Sequence, residues 1–316
     1  MNKRLAPSLR LRTLRLSAAI ALAATLTLSD AALAQRSAAH KPPTFADVEY
    51  ARAGDEALLL DLYLPAEANG APLLVWVHGG AWQFGSKSDM PIGALGERGY
   101  AIASVEFRQA TVARFPAQAH DIKAAIRFLR ARAGDYGYDA TRIAILGASS
   151  GGHLAALIAT TNGDAALEGS LGEHRDVSSD VQAAVSFFGA SNLTTILKQS
   201  TPAGLRVREP ALERLLGDAP ENAVELARLA SPVFHVSAGD PPLLLLHGDQ
   251  DPQMPINQSH ELEGAYAAQG LEARFVVVHG AGHGGAVFFD EEHLRLVAEF
   301  LDRHLRGQSV SRLDAS

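Results

Sequence analysis

The chain has 316 residues, 47% hydrophobic and 20% charged, with a formal net charge of −7 and no cysteine. That acidic balance excludes nucleic-acid phosphate and anionic lipid as preferred partners. The missing cysteine excludes disulfides, a thiol nucleophile and a thiolate metal site.

At the N-terminus, Lys3, Arg4, Arg10, Arg12 and Arg15 precede LSAAIALAATLTL (16–28), an apolar run too short to span a bilayer. Ala32-Leu33-Ala34 then supplies the small-x-small pattern of a signal peptidase site. Residues 1–34 are therefore predicted to be a cleaved secretory signal, giving a secreted or periplasmic product that starts at Gln35 and has no membrane anchor; the alternative is a retained anchor. The five basic residues and one acid of the leader contribute +4 to the chain's −7, so the remainder would carry −11.

After a polar leader (35–44), strand-length apolar runs alternate with helical patterns. Strands are predicted at LLLDLYL (58–64), LLVWVH (73–78), AIASVEF (101–107), RIAILG (142–147), AAVSFFG (183–189), LLLLHG (243–248) and ARFVVVH (273–279). Continuous apolarity is what a parallel sheet covered on both faces requires. LLLDLYL alternates less cleanly and is predicted to be an antiparallel edge. Helical periodicity occupies 116–134, with Gly134 as its C-cap, and returns at 150–161, 257–268 and 291–305. The alternation predicts a single α/β domain over 35–316: a doubly wound, mostly parallel sheet. About fifty residues separate AAVSFFG from LLLLHG, too many for an ordinary connection. A small helical cap insertion over roughly 190–240 is expected there, above the C-terminal edge of the sheet.

Ligands of open α/β sheets bind beyond the carboxyl ends of the strands. RIAIL ends in Gly147-Ala148-Ser149-Ser150-Gly151-Gly152, which fits G-x-S-x-G in one frame only. A tight strand-to-helix elbow of this kind lifts a serine hydroxyl out of the sheet and needs glycine on either side, so Ser149 is the candidate nucleophile. LLVWV ends in His78-Gly79-Gly80-Ala81-Trp82. A tetrahedral intermediate needs pre-aimed N–H donors, and the amides of Gly80, Ala81 and Ser150 are assigned as the oxyanion hole. His78 is read as a loop-organising residue. Trp82 and Phe84 either line an aromatic acyl or sugar pocket or pack the loop.

LLLLHG runs into Asp249-Gln250-Asp251-Pro252. An acid here can hold a catalytic imidazole, and spacing alone leaves Asp249 and Asp251 open. ARFVVVH leads into Gly280-Ala281-Gly282-His283. A histidine between glycines beyond the last strand can reach the serine, so His283 is preferred to His279. A zinc pair of these two histidines lacks a third ligand. His153 is read as a structural hydrogen-bonder. The order Ser149, Asp251, His283 is the order in which such folds deliver a triad.

These segments together resemble α/β-hydrolase esterases, and more narrowly the BD-FAE group, the bifunctional feruloyl/acetyl-xylan esterase-like enzymes. The resemblance rests on HGGAWQFGSK, FPAQAHDIKAAIRFLR, DATRIAILGASSGGHLAAL, SPVFHVSAGDPPLLLLHGDQDPQMPINQS and VVVHGAGHG. The group's H-G-x-x-D pattern falls on His247, Gly248 and Asp251 and selects Asp251 as the acid. Ala81 stands where H-G-G-G would place a fourth glycine, and S-S-G-G where S-A-G-G is usual. The resemblance implies the α/β-hydrolase fold and a serine esterase with short-acyl or feruloyl substrates, small-molecule or carbohydrate esters of the plant cell wall among them. It implies no metal or organic cofactor. A prolyl-oligopeptidase-like peptidase, a formamidase-like amidase and a non-catalytic hydrolase-fold binding protein are the competing readings.

Overall fold

The computed structural model describes residues 41–307; the signal-peptide expectation for 1–34 lies outside them. The elements described below all lie in the compact unit that begins at Pro43. Its elements in chain order are β1 (Phe45–Ala53), β2 (Glu56–Tyr63), β3 (Pro72–Val77), α1 (Ala94–Glu97), β4 (Ala101–Val105), α2 (Ala117–Ala131), α3 (Ala133–Tyr136), β5 (Asp139–Ala148) and α4 (Ser150–Ala159). There follow α5 (Ala165–Glu168), β6 (Ala183–Phe187), α6 (Ile196–Gln199), α7 (Pro202–Leu216), α8 (Val224–Leu229), β7 (Leu243–Gly248), α9 (Asn257–Ala268), β8 (Ala273–Val278) and α10 (Glu291–Arg306).

The eight strands form one sheet in the order β1-β2-β4-β3-β5-β6-β7-β8. β2 is antiparallel to both neighbours, and every pairing from β4 to β8 is parallel. Both faces are buried, and the pleat sorts each strand between them. Leu73, Val75 and Val77 pack with Ile122 of α2, Leu154 of α4 and Leu262 of α9. Leu74 and Trp76 pack on the other face with Leu95 of α1 and Val297 and Leu301 of α10. Each aliphatic side chain so enclosed stabilises the fold by about 1.5–3 kcal/mol. This is why the parallel strands read as unbroken apolar runs.

Three details differ from the expectation. LLLDLYL is antiparallel but not the edge: β1 pairs outside it. The sequence of β1, FADVEYARA, leaves most of its side chains exposed and shifts register twice, so it carries no apolar run to find. Gly134 lies inside α3, and the left-handed cap falls on Gly137, with φ 86°.

Between β6 and β7 lie α6, α7, α8 and a 3₁₀ turn at Pro232–Phe234. Hydrogen bonds from several elements hold this segment down. The side-chain carbonyl of Gln258 accepts from the amides of Ser191 and Asn192 at 2.9 and 2.8 Å. Thr201 donates to the Pro252 carbonyl at 2.7 Å, and His153 donates to the Ala230 carbonyl at 2.6 Å. The segment therefore rests on α4, on α9 and on the loop after β7. Among the described residues no helix is long and apolar enough to cross a membrane.

Candidate active site

Ser149 ends β5 with φ 55° and ψ −119°, a strained conformation for a residue with a side chain. Such a residue costs of order 1–3 kcal/mol and persists only where its surroundings enforce it. Here the enforcement is visible. The Ser149 amide donates to the Phe187 carbonyl at 2.9 Å, and its carbonyl accepts from His153 N–H at 3.0 Å. A Cβ on Gly147 would lie 2.3 Å from the Gly151 carbonyl oxygen, and one on Gly151 2.1 Å from that of Val77. Both flanking positions must be glycine for the strand to turn into α4 within one residue.

The turn brings Ser149 Oγ to 2.8 Å from His283 Nε2. His283 Nδ1 lies 2.7 Å from Asp251 Oδ2. With Nδ1–H donating to the carboxylate, Nε2 is free to accept the serine proton. Asp251 Oδ1 accepts from the amides of Gln253 and Met254, both at 2.8 Å. The buried His247 ring stands 3.4 Å from Asp251 Oδ2. Burial pushes the Asp251 carboxyl up, but hydrogen bonds from His247, His283 and Met254 outweigh it and hold the group far below the usual carboxylate range. Asp251 is thus anionic whenever His283 is neutral.

The alternatives left open by spacing go elsewhere. Asp249 takes His279 Nδ1 at 2.8 Å and the Gly280 amide at 2.7 Å, on a loop where the His279 side chain is 84% exposed. The two histidines face different carboxylates, and among the described residues no cluster of three metal-ligating side chains occurs. Gly248 lets the two loops meet: a Cβ there would lie 2.2 Å from the Ala281 carbonyl oxygen.

The loop after β3 lies against the elbow, since a Cβ on Gly79 would lie 2.9 Å from the Ala148 carbonyl oxygen and 3.4 Å from Ser149 Cβ. Gly80, Ala81 and Trp82 all have positive φ (118°, 53° and 60°), and the Gly80 carbonyl accepts from the amides of Gln83 and Phe84, both at 2.9 Å. Among the described hydrogen bonds, none engages the amide of Gly80, Ala81 or Ser150. Ser150 opens α4, whose first amides have no partner within the helix.

His78 is buried, with Nδ1 2.8 Å from the Gly79 carbonyl and its ring stacked on Phe107 at 4.5 Å. Trp82 does not line a pocket: it is fully buried, and its indole N–H donates to His153 Nδ1 at 3.0 Å. Its ring meets that of His153 edge-on at 5.3 Å. Phe84 is 67% exposed. Sequence reasoning missed Phe188, which follows β6 with φ 40° and sets its ring edge-on to His283 at 5.1 Å. Its position at a strand's carboxyl end was the available signal.

A hydroxyl, an imidazole and a carboxylate in hydrogen-bonded series, delivered from the ends of β5, β7 and β8 of an eight-stranded, mostly parallel sheet, define a protein of the α/β-hydrolase class. The BD-FAE family model matches residues 60–266, and the chain belongs to that family.

Esterase LipC of Mycobacterium tuberculosis is 33% identical over 73% of this chain and 57% of its own. Isoprenylcysteine alpha-carbonyl methylesterase ICME of Arabidopsis thaliana is 30% identical over 71% of this chain and 54% of its own. The chain thus spans about half the length of the curated relatives it matches. A truncated carbohydrate esterase from gut microbiota superposes with a TM-score of 0.76 at 31% identity, covering 84% of this chain and all of that one. Thermogutta terrifontis esterase 2 phosphonylated by sarin gives 0.71 at 28% identity, over 83% of this chain and 96% of its own.

Proposed function

We propose that the chain is a serine carboxylic-ester hydrolase working through an acyl-enzyme. The observation that carries this reading is the Ser149–His283–Asp251 series at 2.8 and 2.7 Å on an elbow whose strain has no other use. Ser149 Oγ attacks the ester carbonyl while His283 Nε2 takes its proton. Asp251 holds the ring in the tautomer that can accept and stabilises the imidazolium. The amides of Gly80, Ala81 and Ser150 receive the charge that develops on the carbonyl oxygen. His283 then returns the proton to the departing alcohol, and the same ring activates the water that releases the acid.

Short-acyl or feruloyl esters, on small molecules or cell-wall carbohydrate, are the substrates this reading favours. The carbohydrate-esterase neighbour and the BD-FAE match support them. Export through the 1–34 segment agrees with an extracytoplasmic polymer. Ser149→Ala is expected to lose at least ~10⁴-fold in turnover of p-nitrophenyl acetate, and all labelling by a fluorophosphonate, while keeping its circular dichroism spectrum. Turnover like that of the unmodified protein would end the assignment. Acetylated xylan and methyl ferulate, offered beside p-nitrophenyl esters of rising length, then rank the acyl and alcohol preferences.

A further inference from the structure

Arg208 is 1% exposed, yet its Nε and Nη1 have no hydrogen-bond partner. Other buried cations of the chain are paired: Lys123 and Arg127 both end on Glu168, at 3.0 and 2.6 Å. An unpaired buried charge is costly, and a guanidinium with no carboxylate partner and two donors unused calls for a physical reason.

Its place in the fold supplies one. Arg208 stands one turn after Gly204 on α7, and a Cβ on Gly204 would lie 3.0 Å from the Pro252 carbonyl oxygen and 3.1 Å from that of Gln253. On the other side its Cζ is 6.0 Å from the centre of the Trp82 ring. Arg208 therefore sits between the loop that carries Asp251 and the loop that carries Gly80 and Ala81, the two that flank Ser149. Asp251 does not neutralise it. That carboxylate accepts from Gln253, Met254, His283 and His247, and the Asp251 charge acts on Arg208 only at longer range. Burial lowers the guanidinium to about 10, so it is cationic at neutral pH.

We propose that Arg208 is a subsite for a carboxylate on the substrate, so that the site takes esters bearing an anionic group near the scissile carbonyl. A guanidinium holds a carboxylate by parallel N–H···O bonds, a geometry a neutral acyl chain cannot use. The chain as a whole is acidic, so the preference arises from this contact and not from long-range steering. The inference rests on the esterase reading, and its binding test does not depend on turnover.

Ser149→Ala protein is titrated calorimetrically with monomethyl glutarate, which carries a carboxylate on the acyl side, against dimethyl glutarate. It is titrated also with 4-acetoxybenzoate, which carries one on the alcohol side, against its methyl ester. At least one charged ester is expected to bind about tenfold or more tightly than its uncharged counterpart. Adding Arg208→Gln should remove that advantage. The charged-against-uncharged comparison needs no Arg208 variant, and Arg208→Met, which keeps the apolar stem, replaces the glutamine variant if that one does not fold. Equal binding of charged and uncharged esters overturns the subsite, as does an advantage that survives loss of the guanidinium. An equal fall of kcat/KM for charged and uncharged p-nitrophenyl esters in the otherwise unmodified protein also overturns it, because Arg208 would then act through Asp251. Failure of the esterase reading looks different: protein with Ser149 intact would release no nitrophenol from any ester.

Discussion

Ala81 is held at φ 53° in the loop after β3. A left-handed conformation costs a residue with a Cβ about 1–2 kcal/mol, whereas glycine adopts it freely. Glycine in turn gives the unfolded chain about 0.4–1 kcal/mol more conformational freedom to lose. The strain is the larger of the two, so Ala81→Gly is expected to raise stability by up to about 1 kcal/mol, read as a higher urea midpoint at unchanged slope. A lower midpoint would mean that the Ala81 methyl contributes packing that outweighs the strain. At this scale the sequence showed what glycine spacing and strand ends encode: Ser149, His283 and the two candidate acids. It could not show where Trp82 points, because its partner His153 lies far along the chain. Arg208 was equally invisible, since a lone arginine on an amphipathic helix reads as a solvated residue until its neighbours are known.

Elements meet the site through α4, and His153 is the joint. Its amide holds Ser149, its Nδ1 takes the Trp82 indole, and its Nε2–H reaches Ala230 in the segment between β6 and β7. The residue therefore ties the elbow, the glycine loop and the overlying segment together, the last two through its ring. It does so only when neutral. Burial lowers its pKa to about 4, while the unfolded chain takes up the proton near the ordinary histidine value of about 6.5. Between those values the unfolded state binds more protons, so stability falls as pH drops from 6.5 towards 4 and is fully present above that window. His153→Gln, which keeps one acceptor and one donor, should cost 1–2 kcal/mol at pH 7 and remove one proton's worth of the slope. Urea midpoints measured through the window check this, and an unaltered slope would show that His153 does not carry it. Elements were the most legible level of the sequence. The strands β3 to β7 had apolar runs written by double burial, whereas β1 escaped because an edge strand with charged, exposed faces has no such run.

The whole molecule depends on a buried ionic joint far from the catalytic residues. α2 packs against α4 and α5, and two of its cations, Lys123 and Arg127, enter the interior between them. Glu168 at the end of α5 answers both, and Ser179, in the chain leading to β6, donates to the same carboxylate at 2.8 Å. Burial raises the Glu168 carboxyl, but Lys123, Ser179 and Arg127 outweigh it and the group is held below its ordinary value. The stability it contributes is therefore present above the usual carboxyl range and lost as pH falls through the lowered value. Glu168→Gln keeps the shape and removes the charge, leaving two buried cations with neutral partners: the Thr161 carbonyl and the Ser179 hydroxyl for Lys123, the carbonyls of residue 168 and Leu171 for Arg127. Breaking a buried pair in this way costs about 3–5 kcal/mol. The carbonyl bonds and the partial exposure of Glu168 place the expected loss at the lower end. The urea midpoint at pH 7 should fall accordingly with no change in slope, and the difference from the unmodified protein should shrink on acidification. A midpoint within about 0.5 kcal/mol of the unmodified protein at pH 7 would show that the neutral partners alone satisfy both cations, and that α2 is held by its apolar face.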